Sequence, residues 1–245
     1  KAHNLEVGGS NPSPATNLMN NNTKKIFATG HFKFLDKIAY EKRIEIINII
    51  NREIKDLKLN DALDIGTTED TDNKSSNTII KNLEKVDIYK SISNQDINSS
   101  FFSKKLKKSI TDNFTPSEID EYSSDIVLSN ATIEHVGNEE NQRKMIDNII
   151  ILSKKIFVIS TPNRYYPIDF HTKLPLIHWL PKTFHRNILN YIGLNFYSKE
   201  ENLNLLSKED LTLFMKKYKY NYNIRTIKLF NFTSNLILIG KKNNI

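Results

Sequence analysis

The sequence predicts an α/β fold, with a doubly wound and mostly parallel seven-stranded sheet that ends in an antiparallel hairpin. Short apolar runs typical of buried parallel strands alternate with helical patterns, and polar residues follow several of these runs directly. Two β-rich runs with a short turn between them close the chain, which predicts the hairpin. The predicted strands are 62–65, 86–92, a third that ends at 109–112, 125–129, 155–160, 224–230 and 235–240.

The composition is that of a globular chain with room for one full core. It has 245 residues, a formal net charge of +7 and no cysteine, which excludes a disulfide framework, a thiolate nucleophile and a Cys-ligated metal. No apolar run approaches the roughly 20 residues of a membrane span. The basic residues are scattered along the chain, so nucleic acid is not the expected main partner.

The first 23 residues differ from the rest of the chain. They are rich in Asn, Gly, Pro and Ser without periodicity, and we expect a tail that is either disordered or precedes a true start at Met19. Residues 24–245 are predicted to form a single domain, with an insertion at about 162–206 that covers the substrate.

A helix and a strand with a polar end open the predicted domain. Apolar residues between positions 34 and 58 fall mostly at three- and four-residue steps, which indicates a helix covering one sheet face. The first strand ends in Asp64-Ile65-Gly66-Thr67-Thr68. A carboxylate and a flexible backbone therefore lie at the carboxyl edge of the sheet, where open α/β sheets bind ligands.

Residues 124–137 combine a strand, a polar loop and the approach to a helix. The apolar run 126–128 turns polar at Ser129 and Asn130, and the loop continues through Glu134 and His135. The amphipathic pattern that follows predicts the next helix. Near the end of the chain, Ser207 and Asp210 have the spacing of a capping box, and the helix after them is predicted to reach position 218.

These motifs and this topology resemble the class I S-adenosylmethionine-dependent methyltransferases, with methyltransferase type 11 as the closest branch. The resemblance covers roughly residues 61–240. The family's first strand ends in Asp/Glu-x-Gly-x-Gly, which Asp64 and Gly66 match. Its fourth strand commonly reads Phe-Asp-x-Val, followed by Glu-His-Val, and residues 124–127 and 134–136 match these motifs.

The resemblance implies a Rossmann-like, cytoplasmic enzyme with S-adenosylmethionine as its cofactor. A Gly-Asp pair at the family's third strand end contacts adenine, and Thr111-Asp112 lies there in this chain. Thr67 and Thr68 offer hydroxyl donors to a carboxylate, and Asn130 is assigned by position alone. The implied cofactor-binding residues are Asp64, Gly66, Thr67, Thr68, Asp96, Asp112 and Asn130.

The chain departs from the family pattern in three places. Thr68 replaces the second glycine of the first loop. No carboxylate ends the second strand, so Asp96 is the candidate for holding the ribose hydroxyls, while Asp87 stands early in the strand. Some relatives bind a metal through Glu-x-x-Glu-His, and because Ala131 replaces the first Glu, no metal is expected.

A nicotinamide-dependent dehydrogenase is the first rival interpretation of an α/β sheet. It would require Gly-x-Gly-x-x-Gly leading into a helix, so that the helix N-terminus faces a pyrophosphate. Only Gly66 is present in this loop, which disfavours the dehydrogenase. S-adenosylmethionine carries no phosphate and does not need such a loop.

Histidine and aromatic residues are dense after the fifth strand, in residues 161–185. His171 is the preferred general base for an oxygen acceptor, and His135 is the second candidate. The alternatives are purely structural: His135 only orders its loop, and this segment packs its apolar side chains on the rest of the domain. Residues 174–180 could also contact a lipid surface. The expected acceptor-binding residues are Asn163, Arg164, Tyr165, His178 and Trp179.

The predicted activity is therefore methyl transfer from S-adenosylmethionine. O-methylation of a small molecule, a sugar or a lipid-linked saccharide is the preferred reaction. An RNA methyltransferase is the alternative enzyme, which the net charge of +7 permits. A binding protein that kept the fold without catalysis is the alternative outside enzymes, supported by the single glycine of the first loop.

Overall fold

The structure, a computed structural model, describes residues 31–69 and 77–242. Its strands are β1 Asp61–Ile65, β2 Ile88–Ser93, β3 Lys104–Lys107, β4 Ser124–Asn130, β5 Ser153–Pro162, β6 Asn221–Leu229 and β7 Phe232–Lys241. Its α-helices are α1 His31–Ile54, α2 Thr78–Lys81, α3 Pro116–Tyr122, α4 Glu139–Leu152, α5 Lys182–Tyr191 and α6 Lys208–Met215. Two 3₁₀ turns span Ile133–His135 and Ile177–Trp179. The predicted tail 1–23, with the start at Met19, lies outside the described residues.

The strands form one seven-stranded sheet in the order β3-β2-β1-β4-β5-β7-β6. Strands β1 to β5 pair in parallel, whereas β7 is antiparallel to both β5 and β6. The predicted, mostly parallel sheet with a C-terminal hairpin is therefore confirmed. From β1 the strand order continues through β2 to β3 in one direction and through β4 to β5 in the other. The strand order therefore reverses between β1 and β4, and a crevice opens there at the carboxyl ends of the strands.

The central strands are buried on both faces. On one face Leu63 and Val127 pack in a cluster with Ile149 of α4. On the other face Ile126 packs in a second cluster with Ile50 of α1. Successive residues of a strand reach opposite layers, and because both layers are apolar the central strands have continuous apolar sequences.

An ionic network joins the central strands near their amino ends. Nζ of Lys90 donates to Oδ2 of Asp61 at 2.8 Å, and the backbone N–H of Asp125 donates to Oδ1 of Asp61 at 2.8 Å. Oδ2 of Asp125 in turn accepts from Nζ of Lys155 at 3.0 Å. Asp125, part of the fourth-strand motif, therefore ties strands together at the edge opposite the crevice.

The third strand lies earlier in the chain than the sequence indicates. β3 ends at Lys107, and residues 109–112, predicted as its end, belong to the loop that follows. Its sequence Lys-Lys-Leu-Lys lacks an apolar pattern because β3 is an edge strand with largely exposed residues. Residues 94–103 connect β2 to β3 without a helix, so the alternation of strands and helices is less regular than predicted.

Several element boundaries also differ by a few residues. α1 ends at Ile54 and α6 at Met215, each before the predicted end, while the capping box of Ser207 and Asp210 is formed as predicted. Phe230 and Asn231 have φ values of 50° and 66°. This left-handed pair suits a two-residue hairpin turn, so β7 begins inside the predicted turn 231–234.

The segment between β5 and α6 carries the second 3₁₀ turn and α5. Asn163 and Leu206, close to the limits of the predicted insertion, form an isolated parallel bridge at its base. We refer to residues 163–206 as the insertion. No α-helix in the described part of the chain is both long enough and apolar enough to cross a bilayer.

Candidate active site

A cavity of about 400 Å³ lies at the carboxyl ends of β1, β2 and β4. Its walls are the loop after β1 (66–68), the end of β2 with the residues that follow (92–95), the loop after β3 (108–111), and the loop after β4. The insertion completes the wall with Phe196, Glu201 and Asn202. Of the predicted site residues, Gly66, Thr67, Thr68 and His135 line this cavity.

Gly66 allows two loops of the site to meet. It has a positive φ of 82°, and a Cβ atom at this position would lie 2.2 Å from Oγ1 of Thr132. The absence of a side chain therefore lets the loop after β4 pack directly against the loop after β1. Gly66 thus permits a close approach of Thr132, a residue of the protein itself, and the two loops together form one wall of the cavity.

Side-chain hydrogen bonds hold the first loop, which lacks the family's second glycine. Nδ2 of Asn77 donates to the carbonyl of Thr68 at 2.8 Å, and Oδ1 of Asn77 accepts from the Thr68 backbone N–H at 3.2 Å. The Thr67 hydroxyl donates to Oδ2 of Asp64 at 2.7 Å. The hydroxyl of Ser93 donates to the carbonyl of Thr67 at 2.7 Å. Asp64 and Asn77 thus order the loop from its two sides.

The other three predicted cofactor residues stand beside the cavity. Asp96 is exposed and forms an ion pair with Lys107. Asp112 is exposed and lies one residue beyond the cavity wall. Oδ1 of Asn130 accepts from the Ser160 hydroxyl at 2.6 Å. Each is next to the site, and none of these three belongs to the wall itself.

Glu134, His135 and His171 bring three possible metal-ligand atoms within 4.8 Å of one another. Nε2 of His171 lies 3.1 Å from Nε2 of His135 and 3.7 Å from Oε1 of Glu134. Nε2 of His135 lies 4.0 Å from Oε1 of Glu134. The two predicted catalytic histidines thus come together across 36 residues of sequence. We call these three residues the cluster, and His135 joins it to the cavity.

Hydrogen bonds on the far side of each ring determine which nitrogen carries the proton. Nδ1 of His135 lies 2.7 Å from the carbonyl oxygen of Asn202, and because a carbonyl only accepts, this nitrogen is the donor. Nδ1 of His171 lies 3.2 Å from Oδ1 of Asp169 and donates in the same way. In the neutral rings both Nε2 atoms are therefore acceptors, and they face each other.

Oε1 of Glu134 is the third acceptor of the cluster. Glu134 is completely buried, and its Oε1 has no hydrogen-bond partner among the described residues, whereas Oε2 accepts from the Thr161 hydroxyl at 2.9 Å. Three acceptor atoms that converge without a donor repel one another. A proton or a metal cation between them would remove this repulsion.

The donor set of the cluster fits a divalent transition metal. Such ions bind imidazole nitrogen and carboxylate oxygen at about 2.0–2.2 Å, so two ligands of one ion lie no more than roughly 4 Å apart. The separations of 3.1, 3.7 and 4.0 Å satisfy that condition. No metal was expected because Ala131 replaces the first Glu of the Glu-x-x-Glu-His motif. The structure brings a further possible ligand, His171, to the cluster from outside that motif.

Burial shifts the pKa values of the groups around the cluster. Burial and the neighbouring His171 lower the pKa of His135 to about 3. Burial raises the pKa of Glu134, although His171 opposes this shift. For Asp169, burial opposes ionisation, but the hydrogen bond from His171 outweighs it and the pKa lies well below its usual range. At neutral pH Asp169 is therefore ionised and His135 neutral, in agreement with their hydrogen bonds.

Three of the predicted acceptor-binding residues hold the insertion together. Arg164 donates from Nε to the carbonyl of His178 at 3.2 Å and from Nη2 to the carbonyl of Leu180 at 2.9 Å. Nε2 of His178 lies 2.6 Å from the carbonyl oxygen of Tyr166, and Nε1 of Trp179 donates to the same oxygen at 3.3 Å. Each of these three side chains thus binds at least one backbone carbonyl through a ring or guanidinium nitrogen.

The remaining two predicted acceptor-binding residues also lie away from the cavity wall. Nδ2 of Asn163 donates to the carbonyl of Thr233 at 2.9 Å, which ties the insertion to β7, and Tyr165 is exposed. The insertion instead contributes Phe196, Glu201 and Asn202 to the cavity.

Sequence reasoning missed the residues that orient the cluster. Asp169 carries a local signal, since a carboxylate two positions before a histidine can reach its ring nitrogen, as it does here. Asn202 has no such signal, because it acts through its backbone carbonyl and any residue there offers the same group.

No family model matches the chain, and no curated protein matches it in sequence. Solved structures match its fold. The small RNA methyltransferase HEN1 shares 12% identity over 85% of this chain and 26% of that chain, with a TM-score of 0.54. Magnesium protoporphyrin IX methyltransferase (ChlM) from Synechocystis PCC 6803 with bound SAH shares 10% identity over 91% of this chain and 93% of that chain, with a TM-score of 0.53.

A third similar structure, assigned to the zinc-dependent alcohol dehydrogenases of Rhodobacter sphaeroides, shares 11% identity. It covers 79% of this chain and 89% of that chain, with a TM-score of 0.51. Identities this low show the fold alone. The likeness confirms the predicted Rossmann-like fold of class I methyltransferases, while the type 11 branch has no matching family model.

Proposed function

We propose that this protein is an S-adenosylmethionine-dependent methyltransferase. The observation that carries the proposal is the place of His135, which belongs both to the cavity at the carboxyl edge of the sheet and to the cluster. Methyl transfer requires two bound molecules side by side, and a cofactor cavity that leads to a proton-accepting cluster meets that requirement. The ChlM structures of similar fold contain bound SAH or SAM, which supports the same cofactor here.

The cavity suits a nucleoside cofactor that lacks phosphates. The first loop has one glycine, Gly66, and the next helix that the structure describes, α2, has only four residues. A dinucleotide would need a longer phosphate cradle, so likeness to a dehydrogenase structure supports only a common fold. We assign the methionine part of the cofactor to the loop 66–68, which Asp64 orders. We assign the ribose to the residues around Asp96, the adenine to those around Asp112, and one edge of the site to Asn130.

The cluster supports an oxygen acceptor. S-adenosylmethionine supplies a methyl group on a sulfonium centre, which is already a good leaving group. The protein then has to align the acceptor, exclude water and help a hydroxyl lose its proton. In this proposal Nε2 of His171, held in the acceptor tautomer by Asp169, receives that proton. His135 offers a second nitrogen beside it.

The convergence of three acceptor atoms favours a divalent cation in the cluster. Oε1 of Glu134 and the Nε2 atoms of His135 and His171 would hold it. Its chemistry would be Lewis-acid assistance to the loss of a hydroxyl proton. Without a cation, Nε2 of His171 acts as the base, and the proton that it takes from the acceptor is then shared with Nε2 of His135, which relieves the repulsion.

For the acceptor we propose a small molecule, a sugar or a lipid-linked saccharide. RNA is the alternative, supported by the net charge of +7 and by the likeness to the HEN1 structure. The salt dependence of acceptor binding separates the two classes, because RNA affinity falls steeply as salt rises.

Transfer of a labelled methyl group from S-adenosylmethionine to pools of hydroxyl-bearing acceptors, by the full chain, tests the proposal. We expect label in an acceptor, lost on chelation and restored by a divalent metal. Transfer that survives chelation would overturn the cation while supporting His171 as the base. A protein that neither binds nor consumes S-adenosylmethionine would be a binding protein that kept the fold.

A further inference from the structure

The insertion exposes a group of large apolar side chains. Leu176, Trp179 and Leu180 lie in and beside the second 3₁₀ turn, and Phe184 and Tyr191 lie on α5. Their exposed fractions run from 41% for Trp179 and Leu180 to 91% for Tyr191. We call these five residues the apolar face. Single exposed apolar residues are ordinary, but a group of this size within 16 positions of one segment marks an interaction surface.

Helix α5 has apolar residues on the side that faces away from the protein. His185 and Leu189 face the protein and are buried. Phe184, Ile188 and Tyr191 follow at steps of four and three residues, so they share another face of the helix. A surface helix normally presents polar residues to solvent. The outward stripe of α5 therefore differs from that of a helix that only covers the body.

The 3₁₀ turn and α5 form one continuous surface. Pro181 alone separates Leu180 from the first residue of α5, and the rings of His178 and His185 pack with their centroids 6.4 Å apart beneath the surface. The apolar side chains of the two elements are thus held next to one another.

The segment that carries the apolar face has more basic residues than carboxylates. Between positions 163 and 199, all of which the structure describes, Asp169 is the single carboxyl group, and it is buried beside His171. The nearest carboxylates along the chain, Glu200 and Glu201, follow directly, and they pair with Arg186 at 2.7 Å and with Lys199 at 3.6 Å. The basic residues of the same stretch are Arg164, Lys173, Lys182, Arg186 and Lys199.

We propose that the apolar face docks on an anionic lipid bilayer. Aromatic side chains favour the boundary between headgroups and acyl chains, and the excess of basic residues in this segment complements anionic headgroups. A complementary protein surface would have to be both apolar and acidic, whereas the bilayer offers both properties at once. Because the insertion also lines the cavity through Phe196 and Asn202, docking would place the cavity close to molecules held in the membrane. The docking goes beyond methyl transfer and does not depend on it.

The fluorescence of Trp179 gives a direct test, because it is the single tryptophan of the chain. The full chain is titrated with vesicles of phosphatidylcholine alone and of phosphatidylcholine with about a third phosphatidylglycerol. We expect the Trp179 emission to shift to the blue with the anionic vesicles and not with phosphatidylcholine alone. Bromination of the acyl chains of the anionic vesicles should quench the emission. Higher salt should weaken this binding. An unchanged spectrum with anionic vesicles would overturn the proposal.

A pair of double variants separates docking through the apolar face from nonspecific hydrophobic adsorption to vesicles. Phe184→Ser with Tyr191→Ser should weaken vesicle binding by about tenfold or more. Ile151→Ser with Leu213→Ser, which changes exposed apolar residues on α4 and α6, should leave it unchanged. Equal loss in both variants, with far-UV circular dichroism preserved, would contradict docking through the apolar face.

The oligomeric state in the absence of lipid provides the remaining check. We expect light scattering to give the same mass for the wild type and for the Phe184→Ser/Tyr191→Ser variant. A wild type that is dimeric and becomes monomeric through these two changes would overturn lipid docking and assign the apolar face to a second copy of the chain.

Discussion

Nε2 of His135 faces Nε2 of His171 at 3.1 Å, and the opposite nitrogen of each ring is fixed as a donor by a carbonyl or a carboxylate. Two lone pairs at this distance repel each other, and the buried Oε1 of Glu134 adds to this repulsion. A cation between the three atoms would remove it. The arrangement gives the candidate site its chemical character, since it stands ready to accept a proton or a metal ion.

Asp169 is expected to act as a positioning residue for His171. Asp169→Asn removes the charge that favours a proton on Nδ1, so the affinity of the cluster for Zn²⁺ should fall by roughly 10–100-fold. Competition with a chromophoric chelator measures the affinity, and ¹⁵N chemical shifts of the imidazole report the tautomer. Asp120→Asn, an exposed change on α3, is the matched control. An unchanged tautomer and an unchanged affinity would contradict the role.

Gly66 is expected to tolerate no side chain. Gly66→Ala places a Cβ 2.2 Å from Oγ1 of Thr132 and imposes a positive φ on alanine, so the free energy of unfolding should fall by about 1–3 kcal/mol. Urea denaturation of Gly66→Ala, Thr132→Ala and the double variant forms a complete cycle. The double variant should recover most of the stability lost to the clash, because Oγ1 and Cγ2 of Thr132 are gone, and should keep the loss due to the positive φ. Strictly additive effects would mean that the two loops do not press on each other.

Removing only one partner of the ion pair between Lys90 and Asp61 is expected to lower stability strongly. Lys90→Met leaves a largely buried carboxylate without its cation, which should lower the free energy of unfolding by about 3–5 kcal/mol. Adding Asp61→Asn removes the unpaired charge and should restore part of the loss. Chemical denaturation measures both variants, and a double variant no more stable than Lys90→Met would contradict this account.

His185 is expected to make stability depend on pH below neutrality. Burial lowers its pKa from 6.5 to about 4, so the unfolded chain binds this proton before the folded protein does. The free energy of unfolding should therefore fall as the pH drops from 6.5 to 4, by up to about 1.4 kcal/mol per pH unit from this group. His135, whose pKa is also lowered by burial, contributes in the same direction over this range.

The variant His185→Leu isolates that contribution. Urea denaturation at several pH values should show a shallower slope for the variant than for the wild type, with the difference confined to the window between pH 4 and 6.5. Parallel curves would mean that the folded protein accepts this proton as readily as the unfolded chain.

The sequence predicts the buried parts of the fold better than the exposed ones. Strands β1, β4 and β5 lie between two apolar layers, so their apolar runs are unmistakable, and the capping box marks the start of α6. The edge strand β3 has three lysines among its four residues, and no periodicity identifies it. A strand that needs little apolar burial leaves little trace in the sequence.

The site divides in the same way. Gly66 and His135 follow strands and can be placed from local pattern. The meeting of His135 with His171 depends on how the insertion folds back over the sheet edge, which no local spacing encodes. The polar side chains of Arg164 and His178 look like ligand contacts in the sequence, yet in the structure they bind backbone carbonyls of the insertion.

Calorimetric titration of the full chain with S-adenosylhomocysteine tests the central claim most directly. We predict a micromolar Kd, about −8 kcal/mol, and loss of binding in Asp64→Ala, because Asp64 orders the loop 66–68 through Thr67. Asp120→Asn should bind as the wild type does. The absence of heat at millimolar ligand, or full affinity in Asp64→Ala, would contradict the assignment of the cavity to this cofactor.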